Sequence, residues 1–406
     1  MSGQWRIYLK PFDSFGVYTS WVDVSSYVKW SSLGSIAVNL DNTDYDIGVY
    51  RNSNVKLVFD NTKGLFSDVS SPKSIFQYKR ADTLCKITYR RNPTTILGTT
   101  RAGFGSFLGD EIEVFTGLLN DDSLAMSLKT QEVDFNVLGR EFVFLRTIVP
   151  FGTVTNGENL SLTLYKILNQ SAITTLFSVQ QENITVGLDQ TNDSLASIQN
   201  KTVQEGLNKL LLATNSVLVI ENDTLYIKPR TATVDTKFNF FGQASRIGPE
   251  NVVAIDKIKN GVAKVYNYFV WAGTTLAVSD NNSSVLYGAR KQELDFEFLT
   301  NTTKRQNVMN AILAEFKTPK QEFDLLTKLT PETLAIKLLD RVTIDYPTVY
   351  LKTQDPLPVC GIAVCGSAKL PSAQWSFTLE QDEPYKIMGR SVSAQSGEIT
   401  FKMRCV

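Results

Sequence analysis

The chain has 406 residues, and its 41 Lys+Arg are balanced by 41 Asp+Glu, so no net charge draws it to nucleic acid or to an anionic membrane surface. It contains no histidine, which removes every mechanism that needs an imidazole, including Ser-His-Asp and Cys-His nucleophiles and His-liganded zinc. Hydrophobic residues make up 43% and aromatics 11%, enough for packed cores and too much for global disorder.

The opening, MSGQWRIYLKPFDSFG, lacks an apolar core flanked by basic residues and does not read as a secretory signal. No segment approaches the roughly 18 consecutive apolar residues of a membrane span. Up to residue 150 the chain reads as strands, over 4–9, 35–40, 54–60, 83–89, 111–117 and 132–137, separated by Gly, Asp, Asn and Ser clusters. Short strands with turns between them suggest a barrel or sandwich. Near Phe151 the character changes. A helix is expected over 160–169 and a better one over 202–213, where Thr202 and Glu205 make a capping box and Val203, Leu207, Leu210 and Leu211 share one face. A hairpin follows, 217–221 and 224–228, around Asn222-Asp223, residues that tolerate positive φ. Strands return over 252–258, 263–271, 341–346, 375–379 and 385–388. They are interrupted by a helix over 303–316, with Val308, Ala311, Ile312 and Phe316 on one stripe and Pro319 closing it. In the last run Ile399, Phe401, Met403 and Cys405 take one face, and Thr400, Lys402 and Arg404 the other.

Candidate chemistry is sparse. Cys360 and Cys365 with Cys85 and Cys405 supply four thiols for an iron–sulfur or metal site. Residues five apart on a strand point to opposite faces, however, and Cys85 and Cys405 sit at apolar positions, so core cysteines and no cofactor are expected. Glu111 and Glu113, about 7 Å apart along a strand, have the spacing of an inverting glycosidase pair, but no apolar pocket marks them and a wet or pore-lining strand face is expected. Asp41, Asp44 and Asp46 lack the glycine and terminal Glu of an EF-hand loop. The stretch LGTTRAGFGSFLGDE, with Gly98, Gly103, Gly105 and Gly109, has no Gly-Lys-Ser/Thr ending for phosphate. It reads as a long hairpin tip between two strands, a docking arm with Phe104 and Phe107 as anchors and Arg101 at the rim.

Three stretches together resemble the baseplate hub, or tail-tip hub, proteins of tailed bacteriophages. WVDVSSYVKW followed by LDNTDYDIGVYRNSNVKLVFDNTKGLFSD is similar to the opening of phage tail β-barrel domains. TVQEGLNKLLLATNSVLVIENDTLYIKPR is similar to the helix-plus-hairpin unit between that family's barrels, and NGVAKVYNYFVWAGT, NAILAEFKTPKQEF, LLDRVTIDYP and YKIMGRSVSAQSGEITFKMRCV resemble its C-terminal half. The resemblance implies a mainly β fold with an α+β insertion: tail-tube-like barrels over 1–150 and 236–406, flanking a small helix-plus-hairpin domain over 151–235. It implies a non-enzymatic homotrimer whose six barrels make a pseudo-hexameric ring at the virion's tail tip, assembled in the bacterial host cytoplasm. Its partners would be a distal-tail or tail-tube ring above, a spike or central fibre below, the tape-measure protein, and DNA passing through the lumen without specific binding. Some related hubs carry a cysteine-bound iron–sulfur cluster. A hexameric distal-tail ring and a phage-borne enzyme that degrades cell-wall or capsule glycan are the alternatives.

Overall fold

The computed structural model describes residues 3–40, 48–67, 71–91, 111–127, 129–194, 197–231, 238–240, 252–259, 261–344 and 384–405. The first segment contributes β1 (Gly3–Lys10), β2 (Val22–Asp23), β3 (Ser35–Leu40), β4 (Gly48–Asn52), β5 (Val55–Asp60), β6 (Leu84–Arg91), β7 (Glu111–Ser127) and β8 (Glu132–Gly139). All six strands expected here form. β7 runs ten residues past the expected end at Gly117, because a register shift between Asn120 and Ala125 lets it stay paired with β8 to Ser127. The middle segment gives α1 (Val143–Arg146), α2 (Leu160–Leu168), α3 (Ser171–Thr174), α4 (Val203–Ala213), β9 (Ser216–Glu221) and β10 (Thr224–Pro229). Thr202 and Glu205 close the capping box on α4, and Val203, Leu207, Leu210 and Leu211 are fully buried, each worth about 1.5–3 kcal/mol of transfer from water. Asn222 takes φ +54° in the hairpin turn.

The remainder supplies β11 (Phe238–Phe240), β12 (Val252–Lys259), β13 (Tyr268–Trp271), β14 (Ala277–Ser279), α5 (Asn281–Tyr287), β15 (Lys291–Leu294), α6 (Thr302–Phe316), β16 (Glu322–Lys328), α7 (Pro331–Leu334), β17 (Arg341–Ile344), β18 (Tyr385–Ser393) and β19 (Glu398–Cys405). The strand expected over 263–271 is shorter than its composition suggests. Val262–Lys264 form a 3-10 turn after Gly261, which sits at φ +71°. Buried Asn267 spends its amide on Gly288 O and Ser283 Oγ and accepts from Arg290 N at 2.8 Å. The expected strand over 375–379 lies outside the described residues.

The fold is mainly β with a small helical insertion. One sheet has the order β2-β1-β6-β7-β8-β5; a second runs β10-β9-β4-β3-β18-β19-β16-β12, with β17 on β18 and β11 on β17. β3 and β4 therefore leave the first segment's sheet. β3 pairs with β18 (Ser35↔Ser393), and β4 runs parallel to β9 (Gly48↔Val217). The two sheets share one core, in which Ile7, Leu57, Phe59 and Phe135 meet Phe323, Leu325, Ile399, Phe401 and Met403. Phe59 packs tilted against Phe66, with 4.6 Å between ring centroids.

A second core joins the middle segment to residues 265–316: Leu164, Leu207, Leu210 and Ile227 pack with Trp271, Phe298, Ile312 and Phe316. Arg404, on the strand face it shares with Thr400 and exposed Lys402, is 4% exposed, with its guanidinium 5.6 Å from the ring centroid of Phe316 on α6. Burial lowers the Arg404 pKa to about 10.

Asp193 fastens the middle segment to α6. It accepts from the N–H groups of Thr300 and Asn301 at 2.8 Å each and pairs with Lys304. Partial burial opposes its charge, but Lys304 and the two N–H groups outweigh it and hold the carboxyl near pKa 2. A carboxylate with a lowered native pKa stabilises above its unfolded value, and that contribution fades as pH falls from about 4 toward about 2. Asp193→Asn should therefore cost about 1–2 kcal/mol at neutral pH and much less near pH 2, read as the gap between wild-type and variant urea midpoints across that range. An equal gap at both pH values would remove the charge from this account.

Candidate functional site

Residues 92–110 join β6 to β7, which pair antiparallel with Arg90 opposite Glu111. The expected hairpin thus has its two strands side by side. Phe104, Phe107 and Arg101 lie outside the described residues, as do Gly98, Gly103, Gly105 and Gly109, the Asp41–Asp46 run, Cys360 and Cys365. At the base of the hairpin Glu111 is held on three sides. Tyr8 Oη donates at 2.8 and 3.0 Å to its two oxygens, Thr88 Oγ1 donates at 3.4 Å, and Arg6 Nε lies at 3.4 Å. Burial and then the hydrogen bond to Glu111 raise the Tyr8 pKa, so its hydroxyl remains a donor.

Glu113 accepts from Thr116 Oγ1 at 2.7 Å and faces Arg140 Nη2 at 3.8 Å. The two glutamates share a cleft of about 380 Å³ where the first sheet, the β9–β10 turn, α7 and Arg390 of β18 converge. They do not form an acid pair in an apolar pocket. Each is engaged by separate donors, and cations at Arg140, Lys337 and Arg390 stand around the same space.

The best-connected side chains of the cleft are Arg140 and Glu141, which sequence reasoning missed. Arg140, 6% exposed, donates to Leu176 O at 3.3 Å and also to Asn222 O and the Asp223 carboxylate; its guanidinium lies 5.1 Å from the Phe177 ring centroid. It ties the end of β8 to the end of α3 and to the β9–β10 turn. Glu141, 2% exposed, turns back to accept from the backbone N–H and side chain of Asn52 on β4. Burial raises its pKa against those bonds and against Arg140. Gly139 makes the return possible, since a Cβ there would lie 2.2 Å from Glu141 Oε1. A signal existed in the sequence: an Arg-Glu pair set directly after a strand and before apolar Phe-Val-Phe.

Cys85 is fully buried, with its thiol pKa pushed up by burial, and Cys405 is partly buried against the same core. Among the described residues no group of three or more Cys, Asp and Glu is arranged to hold a metal ion, and no helix is long and apolar enough to cross a membrane.

No family model matches the chain, and no curated protein matches it in sequence. Solved structures do. A tail protein from Neisseria meningitidis MC58 is similar with a TM-score of 0.56 at 10% identity, covering 100% of this chain and 96% of that one. The prophage tail protein gp18 from Listeria monocytogenes EGD-e is similar with a TM-score of 0.51 at 10% identity, covering 98% and 94%. At such low identity the likeness is one of fold, and over essentially its whole length the chain has the fold of these tail proteins.

Proposed function

We propose that the chain is a structural component of a bacteriophage tail and acts as the hub at the tail tip. The observation that carries this reading is a six-stranded and a ten-stranded sheet on one shared core, with a helix-plus-hairpin unit attached, in a fold that tail proteins share end to end. The organisation is a barrel drawn from 1–150, whose β3 and β4 join the second sheet, an insertion over 151–235 against which 265–316 pack, and a second barrel drawn from 236–406. Three chains supply six barrels, so a sixfold tube ring meets a threefold spike or fibre with each barrel repeating one interface. The distal-tail or tail-tube ring, the spike or central fibre and the tape-measure protein are its neighbours, and DNA crosses the lumen without specific binding. A balanced charge of 41 against 41 suits that passage. The role is mechanical and not catalytic, with Glu111 and Glu113 engaged by Tyr8, Arg6, Thr116 and Arg140.

Light scattering on the purified chain should give three times 45.3 kDa. A stable hexamer would favour a distal-tail ring, and turnover of cell-wall or capsule glycan would favour an enzyme. The hairpin arm adds a test of its own. Replacing Phe104 and Phe107 together by Ser should leave the melting temperature of the isolated chain nearly unchanged and block assembly, since each ring returns about 1.5–3 kcal/mol on docking. A sharp fall in melting with normal assembly would place both rings in the chain's own core.

A further inference from the structure

Four tryptophans fall among the described residues. Trp271 is 1% exposed, in the second core. Trp5, Trp21 and Trp30 are only partly buried, all in the first segment. Partial burial is ordinary for so large a ring; what sets two of them apart is that they line the same groove. Trp5 and Trp30 flank one groove of about 720 Å³, lined otherwise by Arg6, Asp23, Ser25, Ser26 and Ala394. That volume is on the scale of small-molecule sites.

Both indoles sit on fixed backbone. Trp5 lies on β1 and packs edge-on against Tyr89, with ring centroids 5.2 Å apart and planes at 63°. Trp30 opens a 3-10 turn, Trp30–Ser32. Gln395 ties that turn to the β18–β19 connection by donating to Ser31 O at 2.8 Å and Leu33 O at 3.2 Å.

The polar wall is neutral and bifunctional. Arg6 lies 3.3 Å from Asp23 and 3.4 Å from Glu111, so its charge is already matched. Asp23 in turn accepts from Ser25 N at 2.9 Å and from Ser25 Oγ at 2.5 Å on one oxygen, which leaves its other oxygen, shared with Arg6, as the open acceptor. A guanidinium has five N–H donors and a carboxylate about four acceptor positions, so Arg6 keeps spare donors beside an Asp23 with about one acceptor position left. An anion would find no unmatched cation here, and a purely apolar ligand would strip water from Arg6, Asp23 and Ser26 without replacing it. A sugar ring meets both demands. Its C–H faces suit the electron-rich faces of indoles, and neighbouring hydroxyls each donate and accept.

We infer that this groove binds a neutral pyranose saccharide, with Trp5 and Trp30 against the ring faces and Arg6 and Asp23 on a pair of adjacent hydroxyls. The inference goes beyond the tail-hub reading and does not rest on it.

Titration of the full chain with chitobiose, cellobiose and maltose, followed by tryptophan fluorescence, tests this. At least one of the three should give saturable quenching with a Kd at or below the millimolar range. Trp30→Ala should weaken it at least about tenfold, or about 1.4 kcal/mol, and Trp30→Phe should restore part of the loss. Because Trp30 also touches the core, Ser26→Arg supplies a second block from an exposed position; it should weaken binding as much and leave the melting temperature unchanged. No saturable response to any of the three sugars overturns the inference, as does full affinity in a folded Ser26→Arg protein. Protection of these tryptophans by a protein neighbour of the tail, with no response to sugar, would also overturn it.

Discussion

Replacing Arg140 with alanine is expected to lower unfolding stability by about 2–4 kcal/mol. The side chain is 6% exposed and serves three acceptors on two other elements: Leu176 O, Asn222 O and the Asp223 carboxylate. Asp223 is itself mostly exposed, with 73% of its side chain accessible, so the Coulomb part is screened and small. The cost comes from the carbonyls left without a donor and from the packing lost against Phe177. Lysine is not a conservative substitute, since one ammonium cannot reproduce a planar fork that reaches separate acceptors; Arg140→Lys should recover less than half. Urea denaturation measures both, and a loss below about 1 kcal/mol for Arg140→Ala would reduce this residue to an ordinary surface charge.

An effect of similar size is expected at Gly261. Its φ of +71° disfavours any side chain, and a Cβ there would lie 1.9 Å from Lys320 O and 2.7 Å from both Lys320 C and Lys320 N. All three neighbours are backbone atoms, leading into β16, so no rotamer change relieves the overlap. Gly261→Ala should cost about 3 kcal/mol or more, combining the left-handed penalty with forced displacement of a strand. Gly273 is the control. It has nearly the same φ, +67°, and nothing within 4 Å of a built Cβ, so Gly273→Ala should cost only about 1–2 kcal/mol. Equal losses at the two positions would show that φ alone, and not the close approach to Lys320, sets the cost.

How much of this was legible depends on how local the determinant is. Ser35–Leu40 and the Thr202-capped helix were readable because period-two alternation and a capping box act within a few residues. The stripe on α6 was readable for the same reason: Val308, Ile312 and Phe316 are buried and Ala311 is partly buried. β7 runs on past Gly117 through Leu-Leu-Asn-Asp-Asp because pairing with β8 across a register shift carries it on, a determinant that lies in another strand. The strand over 263–271 was overdrawn because its apolar content hid Gly261 and Asn267, whose roles are fixed by Lys320, Gly288 and Arg290 far along the chain. The migration of β3 and β4 into the second sheet left no trace in periodicity, since a strand pattern says which face is buried and nothing about which strand lies alongside. Arg140 and Glu141 were missed for the same reason: Asn52, Leu176, Asn222 and Asp223 are all remote in sequence.

The pairing of Ser35 with Ser393 sets a clock on biosynthesis. At roughly 5–20 residues per second, β3 emerges from the ribosome about 20–70 s before the strand that will cover its edge. For that interval β3 stands as an open edge, a template for strands of neighbouring nascent chains, whereas β4 is covered earlier by β9. Such long-range closure is also slow in its own right, because loop entropy is lost before the contact repays it. Its benefit is order of events: surfaces that depend on the completed ten-stranded sheet do not exist on an unfinished chain. A truncated or stalled product therefore cannot present any surface that the completed sheet forms.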